Sequence, residues 1–177
     1  MLYRRIKLFC IFLLFATHFQ IGWSKILLGW LEYIEFPELG IVAKAKMDTG
    51  TFLSSLHSID KEYFQKNGEK WVRFILEIEN QRAKKKHKKT HLIVERPIER
   101  FTSVISSNGI SNRRPVVLMT ICLGNQLYQE QFTLNDRSHM IYPILIGRKS
   151  IEHMGLIDVS HIYTMQQPQC NSKNNIN

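Results

Sequence analysis

Apolar and polar residues alternate with a period of two along most of this chain, and this pattern restricts the fold more than any other feature. The alternation is clearest in three stretches, KILLGWLEYIEF, IVAKAKMD and WVRFILEIE. The first of them ends at a turn signal made by Pro37 and Gly40. Alternation of this kind is typical of strands that bury one face. The pattern therefore predicts an all-β domain with short connections.

The second half of the chain continues this pattern and adds one helix. The stretches RPVVLMTICLG and NQLYQEQFTL surround Gly124 and Asn125 and predict a hairpin. The stretch YPILIG is continuously apolar, as in a strand that is buried on both faces. The next residues, RKSIEHM, have helical spacing and are followed by Gly155, which predicts a single short helix. Strands at short intervals with one late helix indicate a compact barrel or sandwich.

The first 24 residues differ from the rest and predict a signal peptide. Arg4, Arg5 and Lys7 precede an apolar run over residues 8–16, and small and polar residues stand near Gly22 and Ser24. The alternative is an uncleaved membrane anchor. We therefore expect an exported protein, periplasmic or secreted, which contacts a membrane only if the leader is retained. The expected organisation is a leader over 1–24, one β domain over 25–163 and a loose polar tail over 164–177.

The formal net charge of +9 comes from two segments. The leader carries three Lys and Arg residues, and the run RAKKKHKK from Arg82 to Lys89 carries six, so the remainder is neutral. The run lies between two alternating stretches, which predicts the tip of a long hairpin. Its alternative role is attraction of an acidic partner. Nucleic acid is not an expected partner, because no aromatic residues for base stacking interrupt the run.

Two cysteines outside the leader leave the question of a disulfide open. Cys122 lies in an apolar alternating stretch and is predicted to be a small core residue. Cys170 lies in the polar tail. A bridge between them is possible in an oxidising compartment. The composition of the tail suggests disorder, however, and favours two unpaired cysteines.

The stretch KAKMDTGTFLSSLH places Asp48 at the end of an apolar strand, before Thr49 and Gly50. Gly50 permits a tight turn and offers its N–H to the carboxylate, and Thr49 offers a hydroxyl to a neighbouring loop or an interface. In an aspartic peptidase two such carboxylates share a proton; one acts as base on a water and the other as acid. A turn aspartate is the alternative.

The chain supplies one such carboxylate only. The other three aspartates occur in IDKE, NDRS and IDVS, and none of them precedes Ser-Gly or Thr-Gly. A second carboxylate must then come from a second copy of the chain, with the same loop facing itself across a two-fold axis. If Asp48 is catalytic, the protein is therefore a homodimer.

A second motif strengthens this hypothesis. The stretch YPILIGR with its short helix follows Asp48 by about 100 residues, an order that resembles the retropepsins. Several pieces also resemble, in order, the family of RimK-associated retropepsin-like aspartic endopeptidases, also labelled "ATP-dependent zinc protease". They span Leu28 to Tyr163 and are LGWLEYIEFPELGI, KAKMDTGTFLSSLH, WVRF, VISSNGISNRRPVV, FTLNDRSHMIYPILIGRKSI and LIDVSHIY.

The resemblance implies a retropepsin-like closed β-barrel with one short C-terminal helix. It implies peptide hydrolysis by an aspartic dyad across a homodimer, on peptide or protein substrates such as the glutamate-rich tails that characterised relatives process. It also implies that Asp48 is the catalytic carboxylate. Thr49 and Gly50 would then shape its loop, and Gly147 and Arg148 would belong to the supporting element.

Two positions depart from the family pattern and bear on substrate preference. Thr51 replaces an alanine and adds a hydroxyl near the expected dyad, whereas Leu53 replaces a threonine and removes one. The relatives associated with glutamate tails are cytoplasmic. The leader of this chain therefore points to a peptide substrate outside the inner membrane.

Further candidates for substrate binding are His57, Arg113 and Arg114. His57 could line the cleft or could be a structural histidine. The two arginines belong to a polar, turn-rich segment, Ser106 to Pro115, which could cover the cleft and meet a substrate carboxylate, or could be an ordinary surface loop.

No metal or cofactor is expected, because the histidines show no His-Glu-x-x-His motif and no close pairing with cysteine. His87 and His91 are four residues apart, but in a predicted hairpin rather than a helix. The alternative function is an exported, non-catalytic β-domain that binds an acidic peptide or polymer.

Overall fold

A computed structural model describes residues 25–83, 89–105, 109 and 111–170, so the predicted leader lies outside the described residues. In these ranges the chain forms twelve strands and one helix. They are β1 (Leu27–Gly29), β2 (Leu31–Phe36), β3 (Ile41–Asp48), β4 (Ser54–His57), β5 (Ile59–Lys66), β6 (Glu69–Glu79), β7 (Lys89–Pro97), β8 (Arg100–Ile105), β9 (Ser111–Leu123), β10 (Gln126–Asn135), β11 (Ile144–Gly147), α1 (Arg148–Met154) and β12 (Leu156–Asp158).

Six strands close into a ring, which confirms the predicted retropepsin-like barrel. Their order is β10, β4, β11, β3, β2 and β9, and the β9–β10 hairpin closes the ring. β8 adds to the edge of β9. The alternation of the sequence sets the two faces of β3: Ala43, Ala45 and Met47 are buried, while Lys44 and Lys46 lie on the opposite face. Burial of one face of each strand thus fixes the register of the ring.

A second sheet with the order β5-β6-β7 packs its apolar face on the same core. The long hairpin predicted around the basic run is confirmed as β6 and β7, although residues 84–88 at its tip lie outside the described residues. Both ends of the run are engaged in ion pairs. Arg82 binds Glu35 with both terminal nitrogens, at 2.5 and 3.2 Å, and the Lys89 ammonium lies 3.0 Å from Glu77. These two cations are therefore held within the fold.

Strand β11 enters the ring between two strands that precede it by about 90 residues. It runs parallel to β3 and antiparallel to β4. Ile144 and Ile146 are fully buried on one face, whereas Leu145 on the other face is half-buried, less than predicted for YPILIG. The predicted helix follows directly as α1 and is capped at its end by Gly155. In the described part of the chain no helix has the length and apolarity needed to cross a membrane.

The expectation of a loose tail is wrong for residues 164–170. The backbone and hydroxyl of Thr164 donate hydrogen bonds to the buried carboxylate of Glu32, at 2.9 and 2.6 Å. Cys170 forms a disulfide with Cys122, contrary to the expectation of unpaired cysteines. The polar composition misled the prediction because the partners of these residues lie on β2 and β9, far away in sequence. Residues 171–177 lie outside the described residues.

Candidate active site

Asp48 is the last residue of β3 and keeps an accessible carboxylate. Its Oδ1 accepts a hydrogen bond from the Gly50 N–H at 3.0 Å, and its Oδ2 lies 3.6 Å from the Lys46 ammonium. The side chain is 23% exposed. Because side chains two residues apart lie on the same face of a strand, Asp48 shares the outward face with Lys44 and Lys46. The carboxylate is thus fixed on one side and open on the other.

The residues that follow β11 hold the Asp48 loop from the side. The Arg148 guanidinium donates to the Thr49 carbonyl at 2.7 Å, and the Arg148 backbone N–H donates to the Thr51 carbonyl at 2.9 Å. Gly147 lies directly beside Asp48 in the parallel register of β11 and β3. The structure therefore brings together all five residues that the sequence assigned to the catalytic loop and its support.

Gly147 is required by close packing rather than by its backbone conformation. A Cβ atom at this position would lie 2.5 Å from the Leu53 carbonyl carbon and 2.6 Å from the Phe52 carbonyl oxygen. Contacts this short with backbone atoms force the chain to move. Only glycine therefore allows β11 to pass this close to the loop that follows Asp48.

A chain of buried hydrogen bonds connects Gly147 to a carboxylate on β10. The Gly147 N–H donates to Ser54 Oγ at 3.1 Å, and Ser54 Oγ lies 3.0 Å from Ser150 Oγ. Ser150 Oγ donates to Glu130 Oε2 at 2.6 Å, and His153 Nε2 lies 2.6 Å from Glu130 Oε1. Since Ser150 donates to Glu130, the Ser54 hydroxyl donates to Ser150. The chain is thus fully matched in donors and acceptors.

Sequence reasoning missed this chain of residues. One signal was present: Ser150 and His153 are three apart in the predicted helix and therefore lie on one face. Their partners Ser54 and Glu130 come from β4 and β10, and nothing in their local sequence distinguishes them from other polar strand residues.

The two departures from the family pattern lie within the loop itself. The Thr51 hydroxyl donates to the Leu53 carbonyl at 3.2 Å, a hydrogen bond within the loop that follows Asp48. The Leu53 side chain is partly buried, and its backbone packs against Gly147. Thr49, in contrast, is exposed, and its hydroxyl makes no hydrogen bond within the described residues.

His57 is buried at the far end of β4 from Ser54. Its Nδ1 accepts the backbone N–H of Arg137 at 2.8 Å, so its proton is on Nε2, which lies 3.6 Å from Glu77 Oε2. Burial lowers the pKa of His57 below 6.5, although Glu77 and Asp136 act in the opposite direction. Burial therefore favours the neutral form of the ring. The ring fixes the chain at Arg137 and also lines a cavity.

Arg113 and Arg114, predicted to contact substrate from a cover over the cleft, lie in a strand rather than in a loop, and their contact with substrate stays a prediction. Both lie in strand β9, where they pair with Ser103 and Thr102 of β8. The Arg113 guanidinium lies over the ring of Phe101, at 4.4 Å from its centroid. Arg114 is half-buried and its Nε is buried without a hydrogen-bond partner; this burial lowers its pKa. The ladder with β8 continues the strand through residues whose composition suggested a turn.

Among residues 25–83, 89–105, 109 and 111–170, no group of three or more His, Cys, Asp or Glu side chains is arranged to hold a metal ion. His91, one of the two histidines considered as a pair, lies 3.4 Å from Glu77. His87 lies outside the described residues.

The closed ring, the late strand beside an Asp-Thr-Gly loop and the short helix after it define a retropepsin-like fold. A family model described as "RimB-like: Retropepsin-like aspartic endopeptidase RimB" matches residues 27–168, and the chain belongs to this family.

Curated relatives carry a different name. A "Probable alpha-L-glutamate ligase" of Shewanella pealeana is 34% identical over 144 residues, which are 80% of this chain and 30% of the relative. A protein of the same name from Desulfotalea psychrophila is 32% identical over 136 residues, 76% of this chain and 28% of the relative. The chain thus spans less than a third of the length of these relatives.

A solved structure matches over most of the chain. The crystal structure of the Legionella pneumophila protein Lpg0085, of unknown function (DUF785), superimposes with a TM-score of 0.65 and 25% sequence identity. The match covers 81% of this chain and 100% of that one.

Proposed function

We propose that the protein is an aspartic endopeptidase in which Asp48 and the Asp48 of a second copy form the catalytic dyad. The observation that carries this proposal is the accessible Asp48 carboxylate at a strand end, fixed by Gly50 and held from the side by Arg148. Membership of the retropepsin-like endopeptidase family supports it. A surface aspartate in an ordinary turn would need no such support from a strand about 100 residues later in the chain.

The dyad carries out general acid–base catalysis on a water molecule. Two carboxylates this close cannot both ionise, so they share one proton. The ionised carboxylate takes a proton from water, whose oxygen attacks the scissile carbonyl. The protonated carboxylate donates to the carbonyl oxygen, which gives a tetrahedral diol. The carboxyl that took the water proton then donates it to the amide nitrogen, the other carboxylate takes a proton from the diol, and the C–N bond breaks to give a carboxylic acid and an amine. Gly50 and Arg148 hold the loop before substrate arrives, which limits the reorganisation needed during the reaction.

Exposed apolar residues around the loop support the homodimer. Phe52, four residues after Asp48, is 60% exposed, and Leu156 is also exposed. Thr49, Phe52, Arg148 and Leu156 line one shared depression. A two-fold axis beside Asp48 would bury these residues and would offer the unpaired Thr49 hydroxyl a partner on the second copy.

Acidic or glutamate-rich peptides are the proposed substrates. The name alpha-L-glutamate ligase, carried by relatives that this chain matches in part, supports a link to glutamate-containing products. The proposed location is outside the inner membrane. The leader composition supports it, and so does the Cys122–Cys170 bridge, because disulfides persist in oxidising compartments.

The test is cleavage profiling with an unbiased peptide library, using wild type beside Asp48→Asn. We expect the variant to fold, dimerise and lose cleavage by about 10²–10⁴-fold, the usual contribution of general acid–base catalysis. Asp60→Asn is the matched control, since Asp60 has a positive φ that asparagine also adopts. EDTA should leave cleavage unchanged.

Three results would count against the proposal. They are cleavage by Asp48→Asn at the wild-type rate, a monomer by light scattering at micromolar concentration, and loss of activity in EDTA that zinc restores. A purified dimer that binds acidic peptides and cleaves none would favour the non-catalytic binding domain.

A further inference from the structure

The end of β11 opposite Gly147 adjoins a cavity of about 370 Å³. Its walls include Lys44 of β3, His57 of β4, Glu77 of β6, and Arg137 and Tyr142 from the segment that leads into β11. The cavity therefore lies on the outward face of β3, the face that also carries Asp48 four residues further along.

Arg137 is a charged group in this wall that forms no ion pair with a described residue. Arg137 is only 7% exposed. Its backbone N–H donates to His57 Nδ1, and its side-chain Nε donates to the Tyr142 carbonyl at 3.0 Å. These bonds fix the position of the guanidinium. None of the described carboxylates forms an ion pair with it. Because a buried charge without a partner is destabilising, a fixed, unpaired guanidinium in a cavity wall is suited to a bound anion.

The acidic residues nearby already have other partners. Glu77 lies 3.0 Å from the Lys89 ammonium, and this contact holds the pKa of Glu77 below its usual range. Asp136 accepts the backbone N–H of Ser138 at 2.9 Å, which lowers its pKa. Neither of these carboxylates forms an ion pair with Arg137, and Glu79 also lines the cavity.

A second cation adds to the positive charge. Burial and, in second place, the charge of Arg114 lower the pKa of Arg137, and Arg114 Nε is buried without a hydrogen-bond partner among the described residues. Lys61 on β5 also has a pKa lowered, chiefly by burial and in part by the charge of Arg114. The carboxylates of Asp136 and Asp60 act on Lys61 in the opposite direction.

The same wall is electrostatically coupled to the candidate catalytic group. The negative charge of Asp48 raises the pKa of Arg137, against the effects of burial and of Arg114. Lys44 in the cavity wall and Asp48 are four residues apart on the same face of β3, a separation of about 13 Å, so a peptide whose scissile bond lay at Asp48 could place a neighbouring side chain at this guanidinium.

We propose that Arg137, supported by Arg114, binds a carboxylate of the substrate peptide in this cavity and so selects an acidic residue close to the scissile bond. The planar guanidinium suits this role because it can donate two parallel hydrogen bonds to one carboxylate. Binding of the carboxylate requires no catalysis, whereas selection of the cleavage site rests on the proposed function of Asp48.

The first experiment measures binding in the Asp48→Asn background, where no turnover interferes. The probes are two capped, fluorescently labelled octapeptides of alanine and serine that differ in one central residue, Glu or Gln. We expect the Glu peptide to bind at least about tenfold tighter, as for a charge-assisted hydrogen bond. Arg137→Gln should reduce this ratio to about one, and Arg137→Lys should retain part of it.

Two further variants separate this effect from general changes in charge or folding. Arg100→Gln removes an exposed cation from β8, the strand that pairs with the strand of Arg114, and should leave the Glu/Gln ratio unchanged. Arg114→Gln breaks no hydrogen bond at Nε and should fold, with a several-fold smaller ratio. Melting temperature and light scattering are recorded for each variant. If Arg137→Gln fails to fold, Arg137→Lys and Arg114→Gln decide the test.

Equal binding of the two peptides by Asp48→Asn would overturn the proposal, and so would a Glu/Gln ratio that survives these substitutions. A Glu preference that depends on Arg137, in a wild-type protein that cleaves neither peptide, would overturn the proposed peptidase and support the carboxylate pocket. Cleavage of both peptides with equal kcat/KM, together with equal binding, would support the proposed peptidase and overturn the carboxylate pocket.

Discussion

The two ends of strand β11 are built differently. At the Gly147 end, the polar chain through Ser54 and Ser150 ends at Glu130, and every donor in it meets an acceptor. At the opposite end, Arg137 is buried and forms no ion pair with a carboxylate in the part of the chain that the structure describes. The first end has the properties of a rigid support, and the second has those of a binding surface. Substitutions at the Gly147 end should lower stability, whereas substitutions at the Arg137 end should change the affinity for an acidic peptide.

The largest expected effect is that of Gly147→Ala. The added Cβ would meet backbone atoms of Phe52 and Leu53, which cannot rotate away. We expect a loss of about 1–3 kcal/mol in the free energy of unfolding, measured by urea titration, with cleavage reduced to background. Gly40→Ala is the control, because its Cβ would enter open space at a positive φ. It should lose a comparable amount of stability and keep cleavage. Full activity in Gly147→Ala would show that the support is not needed.

Glu130→Gln tests the other end of the buried chain. The amide keeps an acceptor for Ser150 but loses the charge that faces His153. Hydrogen bonds to charged groups contribute about 1.5–3 kcal/mol, and we expect destabilisation of this order in urea titration. Gln131→Glu, which adds a negative charge at the neighbouring position, should have little effect on stability. An unchanged free energy of unfolding in Glu130→Gln would mean that the Gly147 end of β11 is not a rigid support.

His57 should give the protein a pH-dependent stability. Burial lowers its pKa in the folded state, while in the unfolded chain it has its ordinary value of 6.5. The unfolded state therefore binds the proton more readily, and stability should fall as the pH drops below about 6.5 towards the folded pKa. Glu77, Asp136 and Lys89 face the ring and modify the shift, but burial is its largest cause.

The measurement is the melting temperature between pH 7.5 and 5.5. His57→Asn, which keeps an acceptor for the Arg137 N–H, should have a shallower slope than wild type. His139→Asn, at an exposed position, should retain the wild-type slope. Identical slopes in all three proteins would rule out a contribution from His57.

The smallest expected effect is that of Arg114→Gln on stability. The substitution removes a half-buried charge that has no hydrogen-bond partner at Nε, so the free energy of unfolding should change by less than about 0.5 kcal/mol. Calorimetry measures this change, and Arg82→Gln, which breaks an ion pair with Glu35, is the variant for comparison. A loss above about 1 kcal/mol in Arg114→Gln would make this end of β11 structural as well.

Local patterns in the sequence predicted the support better than the binding surface. The alternation in β3, the apolar run of β11 and the glycine after α1 each act over a few residues, so the ring and the Asp48 loop could be anticipated. Arg137 lies in the stretch NDRSHM, which has the composition of a surface loop. Its burial depends on His57, 80 residues away.

Two further errors have the same physical origin. Arg113 and Arg114 stand before Pro115 in a segment whose composition suggests a turn, yet pairing with β8 continues the strand through them. Cys170 and Thr164 belong to a polar stretch that is ordered by contacts with Cys122 and Glu32. Long-range partners decided the conformation in each case, and composition carries no information about them.

The position of β11 also affects the order in which the molecule can assemble. β3 and β4 are neighbours in sequence, but the ring keeps them apart until a strand from about 90 residues later fills the space between them. Contacts so distant along the chain form slowly, because the intervening loop must first be closed. We therefore expect the amides around Asp48 to gain protection from hydrogen exchange in the slowest refolding phase, after the β6–β7 hairpin.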